Sequence, residues 1–93
     1  MVDERGQGGL SAWRPDDIVA YEEMRDLAIA AQSILIARAR RDTTQVPTAR
    51  VEAAQIRRET LAVDGFDRKA VDTQTRRIAF RLAELRTEER EHA

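Results

Sequence analysis

Leu27-Ala-Ile-Ala-Ala-Gln-Ser-Ile-Leu-Ile-Ala37 is the longest nearly uncharged run in the chain, and the pattern within it sets what the other segments must do. Placed on a helix at 100° per residue, it has two apolar faces rather than one. Met24, Leu27, Ala31, Ile34 and Leu35 share the first face, and Ile18, Ile29 and Ile36 share the opposite one. Arg25 and Gln32 line one seam between them; Glu22, Asp26 and Ser33 line the other. A helix lying on a protein surface shows a single apolar stripe, because its other side meets water. Two stripes predict cover on two sides. Two arrangements supply it: a central helix sandwiched between two others of the same chain, or a helix whose second face meets another protein. A membrane span is excluded, since Asp26 and Arg38 bracket the run and a span takes about 20 apolar residues.

Working outward, the helix extends back to Pro15, at home in a first turn, and on to about Arg41. Asp16, Asp17, Glu22 and Glu23 near its start and Arg38, Arg40 and Arg41 near its end suit the helix dipole. At 1.5 Å per residue it is about 40 Å long. Before it, residues 1–13 hold Gly6, Gly8 and Gly9 among polar residues and read as a flexible arm, ending in Leu10 and Trp13. Trp13 either docks on the bundle or anchors a partner. After the helix, Asp42-Thr-Thr-Gln-Val-Pro47 breaks the pattern, since proline disfavours helix at the residue before it. A second helix is expected over 48–63, closing at Asp64-Gly65. It too divides its apolar residues, with Val51, Ala54 and Leu61 on one side and Ile56 and Val63 on another. A third is expected over 67–88, with Asp67 as N-cap and Phe66 positioned to staple onto Val71. Its stripe is Val71, Thr75, Ile78, Leu82 and Leu85, with Phe80 directly opposite. The acidic tail from Glu88 opposes the dipole there and is expected to fray. The expected architecture is all-α: a three-helix bundle, one domain over 14–93, behind the arm.

Composition sets the terms for that bundle. Of the 93 residues 42% are apolar, but 15 are alanine, and Leu, Ile, Val and Phe together number only 20. A chain of this size buries about 60% of its unfolded surface, so its core is thin, and without cysteine no disulfide can reinforce it. Association with a partner is the natural remedy. The lack of cysteine and of a basic-then-apolar leader leads to the expectation of a cytoplasmic protein. Fifteen Arg against one Lys, with abundant Ala, points to a GC-rich bacterial genome or its phages and plasmids. A net charge of −1 exerts no global pull on nucleic acid.

Sites of chemistry are sparse. His92, the only histidine, is penultimate, and Glu89-Arg-Glu-His92 is one isolated copy of a half-motif that di-iron bundles need twice. Ser11 and Ser33 have no histidine to activate them. The Gly6-Gln-Gly8-Gly9 run lacks the preceding strand and following Lys-Ser/Thr of a phosphate loop. No enzyme, cofactor, metal or small-molecule substrate is therefore expected. One constellation stands out: Lys69, Thr73, Arg76, Arg77 and Arg81 surround Phe80 on a broad basic face of the third helix. These residues would meet phosphates if helices two and three formed a helix-turn-helix. Asp72 is spaced to neutralise Arg76, and Gln74 falls where such a motif places an apolar residue. The alternative is a solvated basic face with Phe80 packed on the second face of helix one.

Short patterns assign no family. No Trp-x-Gly turn of small helical export substrates occurs. Thr48-Ala-Arg-Val-Glu52-Ala53 resembles the Ser/Thr-x-x-x-Glu-Gly/Asn helix of antitoxins that block Fic-type transferases, with Ala53 in place of the Gly/Asn. The expectation is a small non-enzymatic helical protein of antitoxin, anti-activator or accessory-subunit type, acting as a homodimer or as the minor subunit of a complex. Ile18, Ile29, Ile36, Phe80 and Trp13 are its candidate interface. The competing expectation is a DNA-binding regulator using the third helix.

Overall fold

Three helices form, in the expected order, in a computed structural model that describes residues 14–92. Trp13 and the rest of the expected arm lie outside the described residues. Helix α1 runs Pro15–Arg41, the bounds read from the sequence. Its first turn closes on Arg14, whose carbonyl accepts from Asp17 and Ile18 N–H at 3.0 and 3.1 Å. It ends where Asp42 turns to extended backbone and its side chain accepts from the Thr44 N–H, at 3.0 Å, and from the Thr44 hydroxyl.

A 3-10 turn, Thr43–Gln45, leads into α2 at Val46–Leu61. The second helix thus starts and stops two residues before the expected 48–63. Pro47 falls in the first turn, where a helix needs no donor from it, so it opens the helix instead of delaying it. At the far end, Val63 N–H bonds the Thr60 carbonyl at 3.2 Å, tightening the last turn. No glycine among the described residues has positive φ. The corner is made by Asp64, whose side chain accepts from Phe66 N–H at 2.9 Å.

Helix α3, Arg68–His92, is capped as expected by Asp67, whose Oδ1 accepts from Ala70 N–H at 3.1 Å. It runs through the stretch expected to fray from Glu88. The repulsion between those carboxylates and the helix end is offset by cations of α1: Arg38 Nη1 donates to Glu88 and Nε to Glu89, both at 3.0 Å, and Arg41 donates to Glu89 at 2.7 Å.

These contacts also show the topology. Arg38 meets Glu88 at one end and Arg68 meets Asp17 at the other, so α1 and α3 run parallel. Between α2 and α3, Thr60 faces Gln74, Glu59 faces Arg77 and Glu52 faces Arg81, so those two run antiparallel. Helix α1 is the axis; both others pack chiefly on it and touch each other little.

Buried residues recur at three and four: Ala20, Met24, Ala28, Ala31 and Leu35 on α1, Ala49, Ile56 and Thr60 on α2, and Val71, Gln74, Ile78, Leu82 and Leu85 on α3. This is the spacing of helices packed nearly in line. Alanine, discounted in the composition, supplies four of these positions. A small side chain on α1 lets two backbones approach the same stripe, so Ala20 and Ala28 are buried while Leu27 and Ile34 stay at the margin. Gln74 takes a core position beside the half-buried Thr75, and its amide donates to Thr60 Oγ1 at 3.3 Å. Removing one partner of such a buried pair strands the other, whereas removing both is nearly neutral. Gln74→Leu alone should cost about 1 kcal/mol in urea unfolding, and adding Thr60→Val should recover most of the loss.

Candidate interaction face

With α2 and α3 both seated on the first face of α1, the second face is left open. Ile18, Ile29 and Ile36 are 41%, 56% and 48% exposed, far above the core. The three stand on one side of a rigid helix, so their spacing is set by α1 alone. The sandwich arrangement is not what forms: the partners of α1 lie on one side of it.

The structure adds a neighbour to this face. Leu61, 64% exposed near the end of α2, borders the same hollow as Ile29, together with Arg25 and Arg57. A second hollow along the seam holds Ile36, flanked by Arg40 and Arg50. Helix periodicity places Leu61 with Val51 and Ala54 on one side of its own helix; only the antiparallel docking of α2 on α1 brings it beside Ile29.

Phe80 does not join this face. It is 70% exposed and is surrounded by Ala83, Glu84, Thr87 and Glu88 of its own helix. The expected packing of Phe80 on α1 is therefore corrected: Val71, Ile78, Leu82 and Leu85 turn the opposite side of α3 inward.

The basic face of α3 is smaller than its sequence. Arg81 forks onto Glu52, Nη2 to Oε1 at 3.0 Å with Nε on the other oxygen, and also meets Glu84 and Glu88. The hydrogen bond to Glu52, opposed by burial, raises its pKa further and keeps it charged. Arg77 lies 3.6 Å from Glu59. Asp72, spaced to pair with Arg76, pairs backward with Arg68 at 3.0 Å, which also reaches Asp17. These bonds, Asp72 first, raise the Arg68 pKa. Lys69, Thr73 and Arg76 remain exposed, and neither Lys69 nor Arg76 has an ion-pair partner among the described residues. Helices α2 and α3 lie alongside each other, whereas a helix-turn-helix crosses its two helices at about 90–120°.

Glu89 is a carboxylate whose titration is displaced. Desolvation pushes its carboxyl up, but hydrogen bonds from Arg38 and Arg41 outweigh this and hold it below the usual carboxylate range. A lowered folded-state pKa means stabilisation present above the unfolded value, about 4.3, and lost as pH falls through the folded value. Thermal stability should therefore drop below about pH 4, and this acid-dependent part should shrink in Arg38→Met, as read by circular dichroism melts across pH 2–7.

Among the described residues no three His, Asp or Glu side chains converge as metal ligands, and no helix is long and apolar enough to cross a membrane. The domain is small and all-helical, and its described part lacks catalytic, metal or cofactor features. The chain matches no protein-family model, and neither a curated protein nor a solved structure matches it.

Proposed function

We propose that this protein works by helix–helix contact, as a small non-enzymatic regulator or accessory subunit that presents the outer face of α1 to another protein. The observation carrying this reading is the row Ile18, Ile29 and Ile36, left about half exposed on a helix whose other side is already fully packed. A row of exposed large apolar side chains on a small domain marks an interaction surface. Among the described residues, ion pairs hold α3 against α1 and α2 around the shared core, which leaves this face of α1 uncovered.

Light scattering on a sizing column tests it. Expressed alone, the protein should either form a dimer that Ile29→Asp/Ile36→Asp converts to monomer, or be a monomer whose complex with its partner the same variant abolishes. Association unchanged by the variant would refute the assignment of this face.

A further inference from the structure

Charge is distributed unevenly around the bundle. Every ion pair between two helices involves α3; none among the described residues joins α1 to α2. The α1–α2 seam carries instead two hollows of the same make-up. One sets Arg25 of α1 and Arg57 of α2 around Ile29, and the other sets Arg40 of α1 and Arg50 of α2 around Ile36. All four arginines are exposed, none has an ion-pair partner among the described residues, and no Asp or Glu lines either hollow.

Ile29 and Ile36 are seven residues apart, two turns of helix or about 10 Å. An isoleucine with a cation from each helix beside it, repeated at that interval, complements a helix with apolar residues at i and i+7 and carboxylates beside the stripe, on the side away from Glu22 and Asp26 of α1. The span from Arg25 to Arg40 corresponds to about 22 Å, the length of a helix of about 15 residues.

Pairing α1 with α1 of a second copy in the register that matches Ile29 to Ile36 does not meet that requirement. In an antiparallel pair of α1 helices, opposed residue numbers have a constant sum. Setting Ile29 opposite the second copy's Ile36 sets Arg25 opposite the second copy's Arg40, like charge against like. A parallel pair opposes each arginine to itself. Like charges directly opposed across an interface count against that pairing. A nucleic acid would satisfy the arginines but leave Ile29, Ile36 and Leu61 against phosphate and water.

We infer that the α1–α2 groove docks an amphipathic helix of a different protein, acidic beside its apolar stripe where it meets the four arginines. This rests on the reading of α1 as the interaction face and adds the chemistry of what it meets. Helix-in-groove docking supplies the affinity through the apolar anchors, and the flanking charges supply selection and speed of encounter.

The test is a display selection against the full chain. The probe is a library of 18-residue helices with Leu at the i, i+3, i+4 and i+7 positions and Glu, Lys or Gln free at the flanks. Selected helices should carry Glu over Lys at the flanks by several-fold. The best of them should bind Arg40→Glu/Arg57→Glu at least ten-fold more weakly and lose binding to Ile29→Asp/Ile36→Asp. No selected helix, no preference for Glu, or duplex DNA held by the same four arginines would overturn the acidic-helix inference. If the isoleucine variant still disrupted a dimer or complex in that event, the interaction face itself would stand. An acidic helix that bound the isoleucine variant unchanged would instead remove the face.

Discussion

Leu85→Ala should lower the stability of the domain by about 3 kcal/mol, the middle of the range for truncating a fully buried leucine. Leu85 is 0% exposed and belongs to the core cluster that also holds Leu82 and Ile78 of α3 and Ala31 and Leu35 of α1. The cost has two sources: the lost transfer energy of the removed methyl groups, and a cavity that cannot collapse because its walls are rigid helices. Small domains have about 0.05–0.15 kcal/mol of stability per residue, so the loss removes a large fraction of the total. The midpoint of thermal unfolding should fall by about 12–24 °C. Phe80→Ala is the control, because Phe80 is 70% exposed and should change stability by less than about 0.5 kcal/mol. A large effect at Phe80, or a small one at Leu85, would contradict the inward and outward faces of α3.

Ile29→Asp/Ile36→Asp should have the opposite signature, a small effect on folding and a large one on association. Both side chains are about half exposed in the folded chain, so folding loses little packing, and aspartate in a helix interior costs only about 0.5 kcal/mol each. Association is different, because each carboxylate would have to leave water for an apolar contact. A penalty of about 2 kcal/mol or more per site amounts to a loss of at least about 100-fold in affinity for the pair. Circular dichroism should report intact helix while light scattering or a binding titration reports the loss. Unfolding of the double variant would mean that these side chains belong to the core.

Much of this arrangement is legible in one dimension. The periodicity at three and four found Met24, Ala31 and Leu35 on α1 and Val71, Ile78, Leu82 and Leu85 on α3, because a helix turns side chains outward at a rate set by the backbone alone. The same rule placed Ile18, Ile29 and Ile36 together on the opposite side. Helix ends were less legible. Pro47 reads as a breaker or an opener according to whether its N–H would be needed, and Asp64 makes the turn that Gly65 advertised. The core at Ala20 and Ala28 was missed because alanine signals no preference for burial; it becomes core only when a neighbouring helix arrives.

Three helices, the length of the first and the two apolar faces on it follow from local backbone geometry and spacing. Which of those faces is covered is a matter of packing between segments. That depends on α2 and α3 both docking where alanine permits close approach, and on arginines finding carboxylates far away in the chain, as Arg38 finds Glu88 and Arg81 finds Glu52. The same docking withdraws Arg77 and Arg81 into ion pairs, leaves Phe80 outside, and brings to the seam beside Ile29 and Ile36 Leu61 and four arginines without an ion-pair partner among the described residues. Those are facts of distance between segments, which no periodicity along one helix contains.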